Sequence, residues 1–197
     1  MAGIDRSKDL IQNYKRASPE DRVNMMMDNY KGFPGLIKKA ESKTRYLIKS
    51  EREYRRSHSR GELGVRVNTS NLSDPTYEEA KLNILIEQSF ETGNIEKGII
   101  DGLEGETEYA EDIYIISVMR YDFKLLNELI EGSDEEDIRI MKRYLVDKKV
   151  YREIAEEENC SYDSVRRIVI RAIDEIKAEM IESLEKMEKR TAGMKRE

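Results

Sequence analysis

A chain of 197 residues with net charge −6, 39% charged and 38% hydrophobic residues, no Trp and three Pro suits a highly helical protein with thin cores, as one compact domain or two small ones. No apolar run approaches the ~20 residues of a membrane span, and the opening MAGIDRSKDL lacks the apolar centre of a signal peptide. One Cys excludes an intramolecular disulfide, and with a single His it leaves no zinc-ligand set. The expectation is therefore a cytoplasmic protein with no metal and no membrane partner.

Charge is unevenly spread. Residues 1–60 hold 15 Lys/Arg against 8 Asp/Glu, residues 61–140 hold 6 against 20, and residues 141–197 hold 14 against 13. Contact with phosphate depends on local rather than total charge, so the two outer parts remain open to it. The acidic middle suggests either repulsion of DNA or a face for a protein partner.

All regular structure is expected to be helical. Residues 1–60 read as a basic helical region. Asp5 to Tyr30 is broken near Ser18-Pro19, where Ser18-Pro19-Glu20-Asp21 is a helix start with Pro at the first position. Val23, Met26, Met27 and Tyr30 make the following apolar face. Gly32-Phe33-Pro34-Gly35 reads as a turn, and a long basic helix as running from Leu36 to Ser57. Its apolar positions are Leu36, Ile37, Ala40, Tyr46, Leu47 and Tyr54, set among Lys38, Lys39, Lys43, Arg45, Lys49, Arg52, Arg55, Arg56 and Arg60. Two readings stay open for these cations: an arm that contacts phosphate, or a solvated helix face.

Residues 61–74 are polar and turn-rich and read as a linker. Residues 75–132 read as an acidic helical region. Asp74 caps its first helix, with Pro75 at the first position, and Ala80, Ile84, Leu85 and Phe90 follow at helical spacing. Gly93 to Gly105 is broken by glycines. Glu106 to Glu131 reads as one helix with a stripe of Ile113, Ile116, Met119 or Arg120, Phe123, Leu126 or Asn127, and Ile130, ended by Gly132.

Residues 133–190 carry the most specific pattern. Ser133 and Glu136 have the spacing of a capping box, and Ile138, Met141, Tyr144 and Leu145 recur at helical spacing. A short helix from Tyr151 to Glu158 presents Ile154 and Ala155 inward. Asn159 tolerates a left-handed turn, Cys160 is a small plug, and Ser161 can cap the next helix by accepting the Asp163 or Ser164 amide. Val165, Ile168, Ala172, Ile173 and Ile176 then line one face. This is a helix-turn-helix, whose second helix is suited to the major groove of double-stranded DNA. Tyr162, Asp163, Ser164, Arg166, Arg167 and Arg171 face outward from that helix.

Chemistry assigns their roles. Arg166 and Arg167 match guanine edges or phosphates. Asp163 can accept from cytosine or stabilise the helix N-terminus. Tyr162 and Ser164 suit phosphate or a thymine methyl, and Arg171 suits the backbone, as do Tyr151 and Arg152 from the preceding helix. Periodicity continues through Met180, Leu184 and Met187. This extension can form a homodimer, pack back on the N-terminal helices, or hold a partner. Residues 191–197 read as a tail.

Glu153-Ile154-Ala155, Asn159-Cys160-Ser161, Val165-Arg166-Arg167-Ile168 and Arg171-Ala172-Ile173 resemble region four of bacterial sigma factors, as carried by small phage-encoded regulators of the RinA and ArpU kind in Gram-positive bacteria. Gly64 to Ala80 is similar to a linker of such proteins. The resemblance implies a regulator of late or packaging genes, with RNA polymerase as a possible partner. It also leaves open a sigma-like protein that binds polymerase first, or a DNA-packaging protein of the small-terminase type. Glu158 departs from the pattern, which has an apolar residue there; either its carboxylate lies in water at the motif's edge or the local packing differs.

Enzyme chemistry is not expected. His58 lies in a basic RRSHSR context, no glycine-rich phosphate loop or nucleophile motif is present, and no carboxylate pair stands out. No catalytic residue and no cofactor are assigned.

Overall fold

The computed structural model describes residues 6–59 and 75–194, with side chains described over 10–58 and 77–190. The linker 61–74 and the Asp74 cap lie outside the described residues. Within them all regular structure is α-helical: α1 Arg6–Arg16, α2 Pro19–Asp28, α3 Phe33–Ser59, α4 Pro75–Thr92, α5 Glu106–Glu131, α6 Glu135–Leu145, α7 Tyr151–Glu157 and α8 Tyr162–Met194. None of these helices is long and apolar enough to cross a membrane. The final helix is helical to Met194, past the tail read from Thr191.

The chain forms two compact units, each assembled from separate stretches. Of the described residues, unit 1 takes 6–15, 36–59 and 75–120, and unit 2 takes 16–35 and 121–194. These units cut across the boundaries read along the sequence, because α2 joins the C-terminal helices rather than its neighbours.

In unit 1 the buried positions of α3 are Ile37, Ala40, Glu41, Thr44 and Ile48. Tyr46 and Tyr54, read as apolar-face residues, are exposed instead, since they lie off the line that Ile37, Thr44 and Ile48 trace at helical spacing. On α4 the buried residues are Ile86, Ser89 and Phe90, whereas Ile84 and Ala80 are exposed. The glycine-rich stretch contributes Ile99, Ile100 and Leu103 to the interior. Gly93 takes a left-handed φ of +74° where a side chain would collide with Ser117, so α4 can turn against α5 only with glycine there.

Four of the cations of α3 are engaged inside unit 1, and Arg60 lies outside the described residues. Arg45 pairs with Glu87, and Lys49 with Glu79 at 3.5 Å. Arg52 donates to the carbonyls of Gly98 (2.6 Å) and Ile99 (2.7 Å), and Arg55 to that of Gly102. Glu51 accepts from the amides of Glu104 and Gly105 and from the Tyr109 hydroxyl. Burial and that bond to Glu51 push the Tyr109 phenol up to about 12. The buried Glu41 carboxylate is met by Arg120 of α5 at 2.6 Å. These four cations therefore bind the acidic segment and the glycine-rich stretch within unit 1.

In unit 2, Phe33, Pro34 and Gly35 form the first turn of α3 rather than a loop. The Gly32 and Phe33 amides both donate to the Asn29 carbonyl at 2.8 Å, which closes the chain into the helix. The Phe33 and Tyr30 rings flank Phe123 of α5 at 5.3 and 5.4 Å, and the Tyr30 hydroxyl donates to Asn127 at 2.5 Å. Ser18 caps α2 as expected, its hydroxyl accepting the Asp21 amide at 3.1 Å.

The Ser133–Glu136 capping box does not form. Asp134 is the N-cap of α6, without a side-chain bond. The Ser133 hydroxyl donates instead to the Leu129 carbonyl at 3.3 Å, and its amide to Ile130. With only Gly132 between Ser133 and the end of α5, the serine is captured by the helix behind it.

The long α8 packs back on α2. Val23, Met26 and Met27 of α2 are buried, as are Ile176, Met180 and Leu184 of α8. Lys177 donates to Asn24 at 2.8 Å, and Arg22 pairs with Glu188 at 3.4 Å. Of the three uses read for this extension, the face carrying Ile176 and Met180 serves packing within the chain.

Candidate nucleic-acid interface

Three helices build the site. Ile140 of α6, Ile154 and Ala155 of α7, and Val165 and Val169 of α8 form one buried cluster, edged by Tyr144, Tyr151, Cys160, Ile168 and Ile173. Ile140 and Val169 are absent from the apolar lines read in the sequence but are buried here, whereas Ile138 and Ile168 are half-buried. Burying Ala155 rather than a larger residue lets α7 and α8 approach closely.

The turn between α7 and α8 is local chemistry. Asn159 is left-handed at φ +52°. The Cys160 amide donates back to the Ala155 carbonyl at 3.1 Å, closing the end of α7. Ser161 accepts the Ser164 amide at 3.1 Å and caps α8. At the other end of α7, the Val150 amide donates to Glu153 at 3.0 Å. Glu158, the departure from the sigma-like pattern, is not bathed in water. Arg143 donates to it at 2.6 Å, and Arg139 lies at 3.5 Å. An ion pair thus replaces the apolar contact usual at that position. Glu157 beside it has its carboxyl held below the usual range, first by Lys149 and then by Arg143.

The residues assigned to DNA separate into two groups. Tyr162, Asp163, Arg166 and Arg167 are exposed on the first turns of α8, and Arg152 is exposed at the start of α7. Among the described residues, Arg152, Arg166 and Arg167 have no carboxylate partner. Tyr151 is half-buried and brings the two helix starts together: its ring meets the Tyr162 ring edge-on, centroids 6.1 Å apart. Tyr144 stacks on its other side at 5.5 Å. Burial, then the bond to Tyr144, pushes the Tyr151 phenol up, while Arg166 pulls the other way. Tyr144 was not assigned to the site from sequence, because Tyr144, Tyr151 and Tyr162 lie on three separate helices and only their packing brings the rings together.

Two residues also bond within the motif. The Ser164 hydroxyl is 2.9 Å from that of Ser161 and belongs to the cap. Arg171 is exposed on the same helix, and its guanidinium donates to both oxygens of Asp137, at 2.8 and 2.6 Å. Asp137 is buried in the first turn of α6, so this bond ties α6 to α8 across the three-helix core. Replacing Arg171 with Ala is expected to lower stability by about 1–2 kcal/mol, by leaving a buried carboxylate unmatched. Arg171→Ala with Asp137→Asn should recover part of that loss; thermal unfolding of the single and double variants measures it.

Compared with known protein families, curated proteins and solved structures, the chain matches none.

Proposed function

We propose that this chain is a sequence-specific DNA-binding transcription regulator of the phage-encoded, sigma-region-four-like kind, reading the major groove with α8 from Tyr162. The observation that supports it is the contact of Tyr151 with Tyr162. It joins the starts of α7 and α8, on whose first turns Arg152, Arg166 and Arg167 are exposed, and among the described residues none of the three has a carboxylate partner. Cations within the motif that are matched internally, Arg143 and Arg171, have structural duties. The role at late or packaging promoters, and RNA polymerase as a partner, rest on the sequence resemblance.

The test is binding to DNA fragments from the gene's own genomic neighbourhood and to random DNA over a series of salt concentrations. One fragment should be preferred, with log affinity falling against log salt by roughly 0.9 per phosphate contacted. Absence of binding to any fragment at low salt would overturn the reading. Capture of RNA polymerase without DNA would then point to a sigma-like interaction protein, and a ring-shaped oligomer to a packaging protein.

A further inference from the structure

Tyr162 is half exposed, at 51%, yet its ring is not loose. It rests edge-on against Tyr151, which is itself stacked on Tyr144. Three tyrosines from α6, α7 and α8 thus form a continuous brace that ends in one outward-facing ring. A side chain needed only to reach a phosphate with its hydroxyl would not require such support. A braced ring suits contact with an apolar group at a defined place. In the major groove the apolar group on a base edge is the pyrimidine 5-methyl.

Arg166 lies one helical turn beyond Tyr162, exposed and, among the described residues, without a carboxylate partner. Residues four apart on a helix have Cβ atoms about 5–6 Å apart, and base pairs in a strand rise about 3.4 Å. A ring at Tyr162 and a guanidinium at Arg166 therefore span one or two base-pair steps. The guanidinium fork matches the O6 and N7 acceptors of guanine.

Resting on the DNA-reading function proposed above, we infer that Tyr162 and Arg166 act as a paired reader of a thymine methyl and a guanine one or two steps away, with Tyr151 and Tyr144 as positioning residues that hold the Tyr162 ring. Specificity at the thymine comes from the ring and not from the phenolic hydroxyl.

The experiment uses the full chain and the preferred DNA fragment. Each thymine is replaced in turn by deoxyuridine, which removes only the methyl. At one thymine, lying one or two steps from a guanine, the affinity should fall roughly fourfold, as the loss of one buried methyl group implies. Tyr162→Phe should keep that uridine penalty, and Tyr162→Ala should abolish it, so that thymine and uracil bind alike. The inference is overturned if no thymine is sensitive, if the penalty persists in Tyr162→Ala, or if Tyr162→Phe weakens binding as much as Tyr162→Ala does. Binding without any uridine effect overturns this inference alone, whereas absence of DNA binding at every salt concentration overturns the parent reading with it.

Discussion

Replacing Arg166 and Arg167 together with alanine is expected to cost roughly 2–6 kcal/mol of binding to a preferred DNA site, as the sum of two contacts each worth about 1–3 kcal/mol. Both side chains are exposed near the start of α8, away from the buried line of Val165, Val169 and Ala172. Their removal should therefore leave the fold in place, so circular dichroism and the unfolding midpoint should stay near those of the parent. The single variants separate the roles. A residue that reads a base loses preference between fragments when replaced, whereas one that meets phosphate weakens all fragments alike and lowers the salt slope by about one. Unchanged binding in the double variant with an intact fold would show that the recognition face lies elsewhere.

Met180→Ala is expected to destabilise the protein by about 2–5 kcal/mol, the range for truncating a fully buried methionine. Met180 is completely buried on the part of α8 that a helix-turn-helix does not itself require. The loss should appear as a lower midpoint in chemical unfolding that does not depend on protein concentration, because α8 packs on α2 of the same chain. A midpoint that rises with protein concentration would instead mark this face as a seam between two copies. The comparison decides between two of the uses that the sequence left open for the extension.

The α3 ion pairs bear on the basic N-terminal region in the same way. Its positive balance looked suited to phosphate, but Arg45, Lys49, Arg52 and Arg55 are engaged by the acidic segment and the glycine-rich stretch of unit 1. Opposite net charges in neighbouring stretches of sequence are here complementary surfaces within one unit.

What the sequence by itself determined is the local part of the structure. The helical periodicity of α5, the Ser18 and Ser161 caps, the left-handed Asn159 and the inward Ile154 and Ala155 all follow from residues within a few positions of one another, which is the range over which caps, turns and helix faces are set. The exposed DNA-facing candidates Tyr162, Arg166 and Arg167 were legible for the same reason, since a helix face follows from its spacing.

Only the tertiary structure decided which of several competing local choices was used. Ser133 had the spacing of a capping residue, but the end of α5 took its hydroxyl. Arg171 lay on the outward face, but Asp137, 34 positions away in sequence, is bound to it. Tyr46 was read on the apolar face and Ile48 was not, yet the packing of unit 1 buries Ile48 and leaves Tyr46 exposed. The contact of α2 with α8, bridged by Lys177 and Asn24 at a separation of 153 residues, carries no local signal at all. A side chain's nearest neighbours along the helix are fixed by its spacing, whereas a charge or ring that reaches beyond its own helix takes whichever partner the packing brings within a few ångströms.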